Sequence, residues 1–317
     1  MGSELLILVA FFLDLILGDP RDCPHPVRII GYATVKLEKG LRRQFSNLLY
    51  IAGVVLWTTV VGGSFIVTWM LVKFGSILHP LLGMGVSCLF IYTAIATRDL
   101  DREAKDVYEA LARDDIPGAR RLLSRIVGRN TEDLPPSEIV RAAVESVAEN
   151  TVDGIISPLF YAFLGGAPLA MAFKAVSTLD SMVGHNNERY KEFGWFSAKM
   201  DDLMNFIPAR IAGAIIPLAA LLLRMRARDS LKIMWRDRGK TLSPNSGIPE
   251  AAFSGALGVT LGGTNFYQGQ RVDMPVIGKG LKDKDPTDIL RAIRLMYGTS
   301  LIFLGIIPFA PLLLGRF

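Results

Sequence analysis

The chain has 317 residues, half of them hydrophobic and 21% charged, with a net charge of +5. A mean hydropathy of +0.35 leaves few charges to offset the apolar residues, which are gathered in blocks; this excludes an ordinary soluble domain and a disordered chain. Two cysteines without a CxxC pair and three scattered histidines exclude a zinc ribbon, a HExxH-type site and a disulfide scaffold.

The first apolar segment, 4–17, is short, has no basic leader and contains Asp14, so it reads as a retained span and not a removed signal. From Gly18-Asp19-Pro20 to His25-Pro26-Val27-Arg28, three prolines predict a rigid extended loop. Arg28 there can fork onto a carboxylate or phosphate. The whole of 18–47 reads as a basic loop. Segments 48–72 and 77–96 read as clean membrane spans, because about 20 helical residues cross the hydrocarbon layer.

Region 97–150 reads as soluble helices. Leu100, Ala104, Val107 and Leu111 recur at helical spacing. Asp115 caps a second helix, with Pro117 in its first turn. Pro135-Pro136-Ser137 breaks the chain and starts a third helix at Glu138. Glu145, Glu149 and Asp153 lie at i, i+4 and i+8, so a helix stacks three mutually repelling carboxylates on one face. Arg141 one turn earlier, water or a bound cation must offset them. The stripe runs into apolar Ile155–Phe163, where carboxylates are costly, which favours a functional reading. Asn150 adds a neutral oxygen, and such hard ligands suit Mg²⁺.

Segment 155–175 carries Pro158, Gly165, Gly166 and Pro168 and predicts a broken or re-entrant helix. Asp180 to Asn205 is unusually polar, with His185, Asn187, Arg189, Asp201 and Asp202. Asp201-Asp202-x-x-Asn205 is similar to the acidic diphosphate motif of membrane prenyltransferases, but their second acidic motif is missing. Segments 206–223 and 296–314 each contain proline, and 224–240 is strongly basic. Gly239-Lys240-Thr241 ends like a phosphate loop, yet Met234 stands where the leading glycine is needed, so that motif is excluded. The glycine-rich stretches at Pro244-Asn245-Ser246-Gly247 and Gly262-Gly263-Thr264-Asn265 can present backbone N–H groups to phosphate, with Glu250, Asn245 and Asn265 as the polar side chains of interest.

Basic residues place 18–47 and 97–154 in the cytoplasm and the 73–76 turn outside. The side of 176–205 depends on whether segments four and five cross or re-enter. The excess positive charge suits anionic lipid, and no nucleic-acid-binding pattern accompanies it.

Several of these motifs together resemble the CbiB/CobD family, the adenosylcobinamide-phosphate synthases of cobalamin assembly. The residues that carry the likeness are Asp14-Leu-Ile-Leu-Gly-Asp-Pro20 with His25-Pro-Val-Arg28, and Ala143-Val-Glu-Ser-Val-Ala-Glu-Asn150 with Val152-Asp-Gly154. The longest run is Lys174-Ala-Val-Ser-Thr-Leu-Asp-Ser-Met-Val-Gly184, followed by Asn187-Glu-Arg-Tyr190, Asp201-Asp202, Ile207-Pro-Ala-Arg210 and Gly262-Gly-Thr-Asn265. Ser177, His185 and Phe206 depart from the family pattern, where Asn, Tyr and Trp are usual. The resemblance implies ATP- and Mg²⁺-dependent amide formation between a corrinoid substrate, adenosylcobyric acid, and (R)-1-amino-2-propanol phosphate or ethanolamine phosphate. On that reading Asp153, Asp180 and Glu149 are catalytic. Glu145, Glu149, Asp153, Asp180, Asp201 and Asp202 hold metal. Arg28, Asn150, Asn187, Arg189, Arg210, Asn245 and Asn265 bind substrate.

The expected fold is all-α: a polytopic membrane bundle over 1–317 with broken or re-entrant helices and a helical cytoplasmic insertion at about 97–150. Its place would be the inner (cytoplasmic) membrane, with the active face cytoplasmic, lipid around it and other membrane enzymes of cobalamin assembly as contacts. Two rival readings are a membrane phospho- or prenyltransferase and a small-solute transporter. After Asp153-Gly154 the motif of the CDP-alcohol class fails, and no inverted repeat supports transport.

Overall fold

The computed structural model describes residues 3–19, 25–267 and 270–309. The chain is mostly helical and folds into two compact units, Met1–Ala96 with Asp153–Asn205 and Thr97–Val152 with Phe206–Phe317. Five helical stretches are long and apolar enough to cross a membrane: Leu49–Leu78, Pro80–Ala112, Pro136–Val183, Trp195–Leu222 and Thr287–Ile306. The protein is therefore a multi-pass membrane protein.

The first unit starts with α1 (Ser3–Leu17), α2 (Pro26–Gln44), α3 (Leu49–Leu78) and α4 (Pro80–Ala94). At about 1.5 Å per residue, the 15 residues of α1 fall short of the roughly 30 Å hydrocarbon layer. Helix α2 occupies ground read from sequence as loop. Its buried face is Ile30, Thr34 and Glu38, one residue per turn, and two of these three are polar, so no apolar period announces it. Of the proline-rigid loop expected at 18–28, residues 20–24 lie outside the described residues, and Pro26–Arg28 instead form the first turn of α2, where a proline fits because its missing N–H has no partner to lose. Helices α3 and α4 form a tight hairpin, with Pro80 in the first turn of α4 and His79 Nδ1 accepting from the Leu81 N–H at 3.2 Å. Phe65, Ile66, Trp69 and Met70 of α3 are exposed, as suits a lipid-facing surface.

In the second unit, α5 (Thr97–Ala112), α6 (Ile116–Leu123) and α7 (Pro136–Thr151) are the three helices expected from the sequence. Asp115 caps α6 by accepting the Gly118 N–H at 2.9 Å, and α7 starts two residues before the expected Glu138. These helices keep company with 206–317 in one unit. Ile139, Val140, Ala142, Ala143, Val144, Val147 and Ala148 bury α7 nearly all round, so its polar residues lie inside protein.

Beyond α7, Val152–Ile156 forms a π-helical turn. Asp153 sits in this turn, where i→i+5 bonding breaks the 3.6-residue phase on which the three-carboxylate stack was predicted. Helix α8 (Ser157–Val183) follows and is broken as expected: Gly165 has φ −148° and ψ 22°, and Gly166 has φ 68° and ψ −160°. The Gly166 conformation is closed to residues with a Cβ. Helix α9 (Trp195–Leu222) carries Pro208 and Pro217, and the chain passes from the first unit to the second at 205/206 within it.

Helices α10 (Ala227–Asp237) and α11 (Gly247–Leu257) pack together, and α11 and α12 (Thr287–Ile306) pack on α7. Between α11 and α12 the chain forms an antiparallel pair, β1 (Leu261–Tyr267) with β2 (Gln270–Ile277), whose register shifts between Leu261 and Gly263. The sequence reading took this region for glycine-rich turns. The expected sixth segment runs to 314, and its part beyond 309 lies outside the described residues.

Candidate functional site

In the second unit, Arg141 is the largest fully buried side chain, 1% exposed. A guanidinium cannot lose its charge in a protein, so burial demands partners. Its Nε donates to Glu138 Oε2 at 2.6 Å, its Nη1 lies 3.1 Å from Glu145 Oε1, and its Nη2 donates to Asn265 Oδ1 at 2.8 Å and to the Thr264 carbonyl at 3.0 Å. Arg129 completes the arrangement, with Nη2 2.6 Å from Glu145 Oε2 and Nη1 2.8 Å from Asn265 Oδ1.

The strand irregularity matters here. Gly262 has φ +74°, and a Cβ there would meet the Pro275 carbonyl oxygen at 2.2 Å. Its N–H is turned out of the ladder and donates to Glu145 Oε1 at 2.8 Å. The glycine-rich segment does present a backbone N–H to an anion, as predicted for phosphate, but the anion is a glutamate.

Arg129, Glu145, Gly262 and Asn265 form one wall of a cavity of about 140 Å³ in the second unit, lined also by Glu149, Lys240, Thr241, Ser246 and Glu250. Glu250 is half-buried in α11. Burial, with the Glu145 and Glu149 charges added, pushes its carboxyl well above the ordinary 4.5, against the pull of Arg129 and Arg141. Lys240 is held by fully buried Asp237, whose Oδ1 lies 2.8 Å from Nζ, and also donates to the Val276 carbonyl. Arg236 first, then Lys240 and the Gly278 N–H, hold Asp237 well below the usual carboxylate range. The cavity thus combines fixed cations with a proton-accepting carboxyl in water-poor surroundings. That combination can bind an amine, take its proton and stabilise a developing anion.

A neighbouring cavity of about 500 Å³ is lined by Arg210, Arg238, Thr241, Ser243, Pro244 and Ile248 among others. Arg210 Nη1 donates to Asn245 Oδ1 at 3.2 Å, and Asn245 is buried.

The remaining predicted residues lie in the first unit, apart from Asn150, whose amide donates to the Ser146 carbonyl in α7. Asp180 packs against Gly184, where an added Cβ would meet its Oδ1 at 2.0 Å, and Asp202 and His185 act on it electrostatically. Asp201 Oδ2 accepts from Asn205 Nδ2 at 3.0 Å, and Ser157 donates to Asn205 Oδ1 at 2.6 Å. Asp202 lies 3.9 Å from Lys199. Asn187 caps the turn at Tyr190. Arg189 is 67% exposed and pairs with Glu38 at 3.1 Å. Asp153, with Asp19 and Asp14, acts electrostatically on Lys174. Arg28 is exposed on α2.

Of the six predicted metal ligands, Glu145 and Glu149 line the small cavity, and the two arginines and Gly262 take up Glu145. Among the described residues no three His, Cys, Asp or Glu side chains are gathered as a metal cage. Mg²⁺ does not need one, since it often takes one or two carboxylates and completes its shell with substrate phosphate and water. Arg129, Asp237 and Arg238 were not singled out from the sequence, and Lys240 only within the phosphate-loop motif that Met234 excludes. They stand in loops or at a helix end, and no periodic pattern marks them.

The family profile described as CobD/Cbib protein matches residues 7–296. The chain is 52% identical to the cobalamin biosynthesis protein CobD of Geobacter metallireducens, over 93% of this chain and 92% of that one. It is 48% identical to the cobalamin biosynthesis protein CbiB of Salmonella arizonae and 46% identical to that of Salmonella typhimurium, in each case over 94% of both chains. No solved structure matches it.

Proposed function

Because this chain belongs to the CobD/CbiB family of cobalamin biosynthesis proteins, we propose that it is the ligase that joins adenosylcobyric acid to an aminoalcohol phosphate, giving adenosylcobinamide phosphate. The acceptor would be (R)-1-amino-2-propanol phosphate or ethanolamine phosphate. The observation that carries this reading is the small cavity, where three glutamates, the Arg129 guanidinium and Lys240 converge.

A carboxylate is a poor acyl donor. ATP transfers its terminal phosphoryl group to the corrinoid's free propionate, leaving ADP and an acyl phosphate. The acceptor enters as an ammonium and finds Glu149 and Glu250 beside it. Glu250 takes its proton, because burial and neighbouring negative charge raise that carboxyl's proton affinity. The free amine attacks the acyl carbon, the amide C–N bond forms, and inorganic phosphate leaves with the electrons of the broken C–O bond and takes up the nitrogen's second proton. Lys240 stabilises the negative charge that develops on oxygen. Glu145 is a positioning residue that holds Arg129 and Arg141 in place, a revision of the metal-ligand role read from its spacing. Glu149, with the Thr241 and Ser246 hydroxyls, has the hard oxygen donors that Mg²⁺ takes, and the ion would supply charge neutralisation for substrate phosphates.

Asp153, Asp180, Asp201 and Asp202, with Arg28, Asn187 and Arg189, all belong to the first unit. Their polar side chains would meet the corrinoid's carboxamide rim. We place the reaction on the cytoplasmic face of the inner membrane, where ATP is available.

The test is direct. Full-length protein in detergent is incubated with adenosylcobyric acid, aminopropanol phosphate, ATP and Mg²⁺, and the amide is sought by mass spectrometry. ATP-dependent appearance of its mass is expected. A folded protein that gives no product, while vesicles containing it pass a solute, would turn the reading to transport.

A further inference from the structure

The larger cavity of the second unit gathers two arginines, Arg210 and Arg238. Arg141 and Arg129 are neutralised by Glu145, Arg189 and Arg42 by Glu38, and Arg236 by Asp237. Among the described residues, Arg210 and Arg238 have no carboxylate within 4 Å, yet they line one cavity of about 500 Å³. Two like charges are not gathered at one opening without an offset unless water or an anion supplies it.

Both side chains are also held in place. The Arg210 guanidinium lies 3.3 Å from the centre of the Phe206 ring, and Arg238 lies 4.0 Å from that of Trp235. Stacking fixes a guanidinium's plane while leaving its edge donors free. Arg210 uses Nη1 for the Phe206 carbonyl and Asn245 Oδ1, at 2.7 and 3.2 Å. Its other N–H groups and all of those on Arg238 donate to no described residue. The hydroxyl-bearing Thr241 and Ser243 complete the polar wall, and Ile248 and Pro244 give an apolar one. Arg210 also belongs to α9, a helix apolar enough to span. An arginine in such a helix ordinarily finds a carboxylate or serves a ligand.

We propose that this cavity is an anion site for a terminal phosphate group, held in a two-arginine fork between Arg210 and Arg238. A phosphate monoester carries close to two negative charges near neutral pH and matches the two guanidiniums in charge and in paired N–H geometry. An aminoalcohol phosphate, a nucleoside triphosphate and an anionic lipid headgroup share this chemistry. That the phosphate belongs to a substrate rests on the amide-forming reading; the anion site itself does not.

Titration calorimetry on the full chain in phosphatidylcholine nanodiscs, with pyrophosphate as the probe, tests the site. Arg210→Gln and Arg238→Gln are each expected to weaken binding by about tenfold to a hundredfold, the range for one charge-assisted contact. Arg210→Lys and Arg238→Lys, which keep the charge and guard against misfolding, are expected to recover part of it. Parental affinity in both Gln variants, or no binding by the parent, overturns the proposal. Competition then identifies the source. Displacement of pyrophosphate by aminopropanol phosphate or by ATP supports a substrate phosphate, whereas displacement only in nanodiscs that contain phosphatidic acid overturns that assignment. The two readings fail separately. If Glu250→Gln abolishes turnover while the arginine variants bind normally, the anion site falls and the ligase stands. If no amide forms under any condition but the arginine variants lose pyrophosphate, the ligase falls and the anion site stands.

Discussion

The carboxylates around Glu145 and those around Asp180 look alike in the sequence, and the two units use them in opposite ways. In the second unit, Glu145 adds to Arg141, one turn away, partners from outside its helix: Arg129 from a loop and the Gly262 N–H, 117 positions on, from a strand. In the first unit, Asp201 and Asp202 have near neighbours among their partners. Asp201 leans on Asn205 four residues away and Asp202 on Lys199, while the long-range pair Arg189–Glu38 has one partner 67% exposed. An acidic stripe is therefore a poor guide by itself. Whether it becomes a site depends on which distant cations and backbone donors the fold brings to it, and on how little water remains.

That contrast can be broken or sharpened by four variants. Glu250→Gln keeps the shape of the small cavity and removes its proton acceptor, so turnover should fall by about 10²- to 10⁴-fold in the amide assay. The same variant should change the dependence of stability on pH. A carboxyl raised in the folded state holds its proton while the unfolded chain releases it, so its contribution is fully present below the ordinary 4.5 and is lost as pH rises through the folded value. Thermal melts in detergent should show Glu250→Gln gaining on the parent from pH 4.5 upward, and a constant difference would remove Glu250 from its place in this mechanism.

Arg141→Ala leaves Glu145, Glu138 and Asn265 short of a partner in a buried setting. About 3–5 kcal/mol of destabilisation is expected, read as a large drop in melting temperature. A drop under about 1 kcal/mol would mean that the arginine network is no tighter than a surface pair. Gly262→Ala forces a Cβ against the Pro275 carbonyl at positive φ and disturbs the donor to Glu145. A loss of about 1–3 kcal/mol should follow, with turnover reduced as well. Arg189→Ala removes a solvent-screened pair, so stability should move by less than about 1 kcal/mol. A larger loss would erase the contrast between the units.

Much of the chain was legible before its fold. Apolar blocks gave the spans, Gly165-Gly166-Pro168 gave the break in α8, and Asp115 gave the cap of α6. Helix α2 was hidden because Thr34 and Glu38 stand where an apolar face was sought. The β-pair was hidden because Gly262 and Gly263 signal a turn when read alone. The Glu145-Glu149-Asp153 spacing assumed an unbroken α-helix, and the π-helical turn at 152–156 removes that assumption.

The sequence by itself determined the membrane class, the family and the residue types available for chemistry, because these depend on composition, hydrophobic period and ordered motifs. Only the tertiary structure decided which of those residues meet. Arg129 and Asn265 are 136 positions apart and 2.8 Å from one another, and no period of 3.6 or 2 residues encodes a contact at that separation. Charge and hydrogen bonding act through space and strengthen where water is excluded, so the partners of Glu145, the proton affinity of Glu250 and the unpaired state of Arg210 and Arg238 are properties of the fold.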